Sequence, residues 1–397
     1  MKLKHSIVLI FITILSCTEP YVLETENFED LLVVEATITN EYKKHVIKLS
    51  RTIPLEEETS NIESGATVKI TTNTGIEYNF TQQNDSYISD QEFQIEPSLL
   101  YTLNIQTTKG ETYISTSEKM PAINDIDEVT AGQEIKNNIE GVAINVNASD
   151  PTNSSKFYRY EFIETYIVIP PFWSPNDIVV DTNNELQVEP RTTETRICYS
   201  SSFSNTINVI STENQTEDVV NNFNIHFLAK EDPKIANRYS ILVRQYIQNS
   251  GAFNFYKTLK SLSSTGSLLS QVQPGFIVGN IKNVNNPEEK IVGYFDVTTV
   301  SEKRIFFNFE DIFPSETSSS HYFNCDTFLY RSDIDELPPG YMGPEVGAKN
   351  DIIYAITNNI SIYYSGDPTI GENIELVYPY CGDCSSFSSN IAPDFWQ

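Results

Sequence analysis

Ala66-Thr67-Val68-Lys69-Ile70-Thr71, a turn signal at Thr74-Gly75, and then Ile76-Glu77-Tyr78-Asn79-Phe80 decide the fold class of this chain. Val68 and Ile70 alternate with polar neighbours. A period of two places them on one face of a strand, and the glycine supplies the sharp reversal into the next strand. The same pattern spreads outward. Leu31 to Thr39 is apolar and β-branched, His45-Val46-Ile47-Lys48-Leu49 puts Ile47 and Leu49 on one face, and Tyr87-Ile88 follows. Tyr101-Thr102-Leu103-Asn104-Ile105 alternates again, and a Lys109-Gly110 turn leads into Tyr113-Ile114-Ser115. Short strands with turn signals between them suit an immunoglobulin-like or transthyretin-like β-sandwich over residues 31–120.

Met120-Pro121 closes that unit, and residues 121–397 read as a larger β-rich domain. The chain is therefore expected to be mainly all-β. Strands are expected at Gly141–Asn147, Lys156–Phe162, Ile197–Tyr199, Thr206–Ser211, Asn222–Leu228, Arg238–Ile247 and Arg304–Phe309. Residues 170–195 hold Pro170-Pro171, Phe172-Trp173 and Pro175, and read as one long loop, a place where ligand contacts often sit. Ala252 to Leu262 is the one short amphipathic helix, with Phe255, Leu259 and Leu262 on its apolar face. Gly275–Val284 and Ile291–Val300 read as paired strands across Asn285-Asn286-Pro287-Glu288. The closing Phe395-Trp396 reads as a plug into the core.

The N-terminus carries an address. Lys2 and Lys4 precede the apolar run Ile7 to Leu15, which is far shorter than the ~20 residues that span a bilayer. Ile14-Leu15-Ser16-Cys17 has the order of a bacterial lipobox, so residues 1–16 read as a lipoprotein signal peptide and Cys17 as the lipidated N-terminus. Its thiol takes a diacylglycerol and its amine a further acyl chain such as palmitate. Two or more chains hold a protein to a membrane stably. Residues 17–30 read as a tether.

The sequence has 397 residues, 54 acidic against 26 basic, and a formal net charge of −28. Removing residues 1–16 takes away Lys2 and Lys4 and no acid. Such a body repels nucleic acid. With Cys17 lipidated, Cys198, Cys325, Cys381 and Cys384 remain, an even set that reads as two structural disulfides in any of three pairings. A four-cysteine zinc site and a redox pair at Cys381-Gly382-Asp383-Cys384 are the competing readings. No cofactor or metal is expected and no catalytic residue is nominated. The chain has no Gly-x-Ser-x-Gly elbow, no phosphate loop, and no metal spacing around His45, His226 or His321. Phe172 and Trp173 are the candidate ligand contacts.

Several segments in order carry a resemblance. They are Leu32-Val33-Val34-Glu35-Ala36, Tyr158-Arg159-Tyr160-Glu161 after Asp150-Pro151, Ile197-Cys198-Tyr199, Arg238-Tyr239-Ser240, Thr265-Gly266-Ser267-Leu268, Gly279-Asn280-Ile281, Gly293-Tyr294-Phe295 and the ending Cys381-Gly382-Asp383-Cys384 with Pro393-Asp394-Phe395-Trp396. On these the chain resembles the Bacteroidetes outer-membrane lipoproteins carrying domain of unknown function 4249. The resemblance implies a lipid anchor in the outer membrane, on either face, and a non-enzymatic accessory or ligand-capture role beside a TonB-dependent receptor barrel. A surface adhesin or glycan-binding module, and a hydrolase, are the alternatives.

Overall fold

The computed structural model describes residues 29–54, 61–264, 277–318, 320–337, 339, 347–368 and 373–396. The expected signal peptide, Cys17 and the tether through residue 28 lie outside them. The fold is mainly β, with 46% of residues in strands and 11% helical. β1 (Leu32–Thr39) and β2 (Val46–Arg51) are followed by β3 (Asn61–Ile62), β4 (Thr67–Thr72), β5 (Glu77–Gln83), β6 (Ser86–Ser89), β7 (Leu100–Gln106), β8 (Thr112–Ser115) and β9 (Glu118–Lys119). β4 and β5 form a hairpin about the expected Thr74-Gly75 turn, with Val68 opposite Phe80 and Ile70 opposite Tyr78 and Gly75 at φ +86°. β7 and β8 pair through the Lys109-Gly110 turn, with Ile105 opposite Tyr113.

Next come β10 (Glu128–Lys136), β11 (Ile139–Ser149), β12 (Phe157–Val168), β13 (Asn176–Val180), β14 (Leu186–Pro190), β15 (Cys198–Phe203), β16 (Asn208–Ser211), β17 (Val219–Ala229) and β18 (Tyr239–Ile247). Helix α1 (Ser250–Ser264) leads to β19 (Ile281–Asn283) and the long β20 (Ile291–Phe307). α2 (Phe309–Ile312), β21 (Phe328–Arg331), α3 (Lys349–Thr357), β22 (Ile362–Ser365), β23 (Asn373–Val377) and α4 (Pro379–Gly382) complete the chain.

One 15-stranded sheet runs through the molecule, with the central order β15-β12-β18-β20-β1-β2-β6-β5-β4-β7-β8-β19. β20 joins its two halves. Its first part pairs parallel with β1, Leu32 opposite Ile291, and its second part antiparallel with β18, Ile247 opposite Thr299. A parallel pair needs a long crossover, and all of the chain between β1 and β20 supplies it. Residues 31–120 are therefore completed by residues far along the chain: Ile281, Ile291, Phe295 and Val297 belong to the same apolar core as Leu32, Ile70 and Leu103.

This half of the sheet curls around that core until its edge strand β19 comes back beside β20. The Asn280 side chain, just before β19, accepts from the Phe295 N–H at 2.8 Å and donates to the Phe295 carbonyl at 3.0 Å. A side-chain amide thus stands in for a ladder peptide and closes the seam. Glycines make the approach fit. A Cβ on Gly279 would lie 1.6 Å from the Gly293 carbonyl oxygen, and Gly293, at φ +148°, lies against the Val34 backbone.

The other half of the sheet is sandwiched. Its inner face packs on the separate sheet β10-β11-β17 around Tyr158, Tyr160, Ile241 and Val243. A third, smaller core joins the β13–β14 hairpin to α3 and the sheet β21-β23-β22. Two expectations change here. Residues 170–195 are not one long loop. They carry the β13–β14 hairpin, with Ile178 opposite Val188, held because Ile178 and Leu186 have that third core to bury into. Nor do the two expected strands around Asn285–Glu288 pair with each other. β19 pairs with β8 and β20 with β1 and β18, which puts Ile281, Ile291, Phe295 and Val297 into the first core.

Candidate functional site

The face of β12, β18 and β20 opposite the sandwich core is covered by α1. Ala252 and Phe255 are buried against Tyr294, with Leu259 packed beside them, so the expected apolar stripe is a packing face. Between α1 and strands β1, β2, β12, β18 and β20 lies a cavity of about 680 Å³. Its walls are largely apolar, and Arg159 and Glu161 of β12 and Tyr246 of β18 line it together with Tyr256 of α1.

Arg159 is only 6% exposed. Its guanidinium carbon sits 4.1 Å from the Tyr246 ring centroid and 4.5 Å from that of Tyr256, so aromatic rings cover it. It pairs with Glu161, whose other oxygen accepts from the Tyr246 hydroxyl at 2.9 Å. Its Nε has no hydrogen-bond partner among the described residues. Burial works against the cation, but Tyr256, Glu161 and Asp296 outweigh it and hold the guanidinium firmly charged. Asp296 lies fully buried nearby and accepts from Gln248 Nε2 at 2.6 Å. Burial pushes its carboxyl up to about 6.

A second polar cluster lies on the sandwich side. Glu164, 3% exposed, accepts from the Tyr239 hydroxyl at 2.7 Å and from Ser202 at 2.6 Å, and pairs with Lys234. His226 Nε2 is 3.3 Å away. Burial opposes ionisation, yet His226, Lys234, Ser202 and Tyr239 together draw the carboxyl down to about 2. Ser202 and Lys234 lie 3.3 Å apart, the approach of a serine–lysine dyad. Burial would lower the lysine, but Glu164 holds it as an ammonium, which leaves no lone pair to act as a base.

The sequence-nominated residues fall elsewhere. Cys198 pairs with Cys384 and Cys325 with Cys381. Cys381 and Cys384 therefore each reach a distant partner, and the zinc and redox readings lose their thiols. The two bonds tie the C-terminal segment to β15 and to the segment before β21. Phe172 and Trp173 are half-buried in this stapled region. The Phe172 N–H donates to the Cys381 carbonyl at 2.9 Å and its ring meets Tyr364 edge-on. Trp173 Nε1 donates to Thr195 at 3.1 Å, with Arg196 over its ring. Both side chains are anchored in place.

Trp396 packs edge-on against Tyr199 and Phe306, while Phe395 stays 36% exposed beneath Arg304. His45 is buried in the first core, its Nε2 2.9 Å from the Phe93 carbonyl, and burial pushes it down to about 4. His321 lines a smaller cavity beside Cys325.

Sequence reading missed Arg159, Tyr246 and Tyr256 as a group. The available signal was a charge inside an aromatic strand, Phe157-Tyr158-Arg159-Tyr160-Glu161-Phe162; what it faces depends on α1, almost a hundred residues on. Among the described residues, no group of three or more His, Cys, Asp or Glu side chains is placed to hold a metal, and no helix is long and apolar enough to cross a membrane. No curated protein matches the chain. The family model described as a domain of unknown function (DUF4249) matches residues 18–304, a span that includes the closed sheet, the sandwich and the cavity under α1, and the chain belongs to that family.

Proposed function

We propose that this protein is a lipid-anchored, non-enzymatic accessory protein that captures a small ligand beside a TonB-dependent outer-membrane transporter. The cavity under α1 carries the reading: at about 680 Å³, with largely apolar walls and a few convergent polar groups, it has the size and chemistry of a small-molecule site. Two disulfides suit an exported protein. The lipobox at Cys17 supplies the anchor, and confinement to a membrane raises the local concentration of the body near a barrel. Trp173, held by Thr195 and Arg196, lends less support to a glycan platform.

The test is isolation of the tagged protein from membranes in mild detergent. A barrel transporter is expected to co-purify, and the Cys17→Ser variant is expected to leave the membrane fraction. Recovery without any barrel protein, together with unchanged nutrient uptake in a deletion strain, would sink the proposal.

A further inference from the structure

We infer that the cavity beneath α1 takes a small amphipathic carboxylate, its head held by Arg159 and the lysines at the rim and its tail laid along the apolar wall. The inference rests on the capture reading and names the ligand class. Charge is the first argument. The chain carries −28 overall, yet the charged side chains lining this cavity are Lys43, Lys44, Lys48 and Arg159 against Glu35 and Glu161. Lys43 is taken up by Glu41, while Lys44 and Lys48 are exposed and have no ion-pair partner among the described residues. A basic cavity in a strongly acidic protein selects anions over neutral ligands.

Arg159 is the second argument, because exposed lysines alone are ordinary. It is a buried cation in the cavity wall with an unpartnered Nε. Tyrosine rings cover the guanidinium, so its donors are directed in its own plane, where Glu161 takes only part of them. A planar fork held this way loses little freedom on meeting a carboxylate. Glu161, paired with Arg159, and Glu35 elsewhere in the cavity wall oppose a doubly charged head, which favours a monoanion over a phosphate. Val33, Val46, Val292, Phe255 and Leu259 supply the apolar wall for a tail.

Calorimetric titration of the mature chain with dodecanoate, and separately with dodecan-1-ol, both below micelle formation, tests this. Dodecanoate should bind at one site and the alcohol at least about tenfold more weakly, the scale of one charge-assisted contact. Reversing both rim charges, Lys44→Glu with Lys48→Glu, should weaken dodecanoate about tenfold and leave the alcohol unchanged. Arg159→Lys should weaken dodecanoate further. Should that buried variant fail to fold, the exposed rim pair still decides the question. Equal affinity for both probes, or dodecanoate binding indifferent to the rim reversal, overturns the ligand class and leaves the accessory reading, which stands on barrel co-purification. Absence of binding by either probe overturns the site itself.

Discussion

The two halves of the long sheet solve burial differently. In the half around β1 to β8, each strand hides one face: Val68 and Ile70 point into the core while Lys69 and Asn79 face out. The core between these strands is apolar and follows the alternation, with a buried Arg51–Glu63 ion pair, 2.6 Å apart, at the end of β2. In the half around β12 and β18, both faces are covered, by β10-β11-β17 on one side and α1 on the other. Backbone position then no longer decides polarity, and Arg159, Glu164 and Gln245 all lie buried. Each such group needs a partner or has its ionisation displaced. Gln245 accepts from the Tyr160 hydroxyl at 2.8 Å, and Glu164 gathers four neighbours. The cavity lies where the two halves meet, lined by β1 and β2 on one side and by β12, β18 and α1 on the other, and the buried Arg159 stands in its wall.

The contrast breaks most sharply at Glu164. Glu164→Ala strands Lys234, the Tyr239 hydroxyl and His226, and is expected to cost about 3–5 kcal/mol in urea unfolding, as does breaking other buried ion pairs. Glu164→Gln keeps the shape and isolates the charge. Because the folded carboxyl lies near 2 against an ordinary 4.5, its contribution is complete above pH 4.5 and is lost as pH falls towards 2. The acid limb of the stability profile should flatten in Glu164→Gln over that window. An unchanged limb would mean the cluster is not what stabilises this half.

The stapled C-terminal region comes next. Cys325→Ser with Cys381→Ser should cost about 2–4 kcal/mol. Hydrogen exchange should quicken in β21 to β23 and stay slow in β1 to β8. Equal quickening in both would show that the staple supports the whole sheet.

At the seam, Asn280→Ala removes both bonds to Phe295 and should cost about 1–3 kcal/mol, with exchange rising at Phe295. The smallest effect belongs to His45, a buried ionisable side chain of the β1–β8 half. Its folded pKa is about 4 against 6.5, so the unfolded chain binds a proton the folded one refuses. Stability from this group is full above pH 6.5 and declines as pH falls towards 4. The His45→Gln variant should lose less between pH 7 and pH 5 than the parent does.

Legibility follows the same division. The β4–β5 and β7–β8 hairpins were readable because register and turn are local, with Thr74-Gly75 and Lys109-Gly110 supplying the reversals. The helix over 252–262 was readable from Phe255 and Leu259. The hairpin inside 170–195 was not, since Ile178 and Leu186 look isolated until α3 and β23 provide a core. Arg159 reads from the sequence as one residue of the strand Lys156–Phe162, because a lone charge within a strand says nothing of the rings that will cover it.

The amino-acid order by itself determined the β class, the inward faces of β2 and β4, the apolar stripe of the helix and an even set of cysteines in the body. Each follows from side-chain period or chain chemistry within a few residues. Only the tertiary structure decided that β20 would join two half-sheets, that Asn280 would seal one of them, which cysteines would pair, and that Arg159 would meet Tyr246 and Tyr256. Those outcomes depend on contacts between distant segments, where the free energy of burying a shared core outweighs local preference.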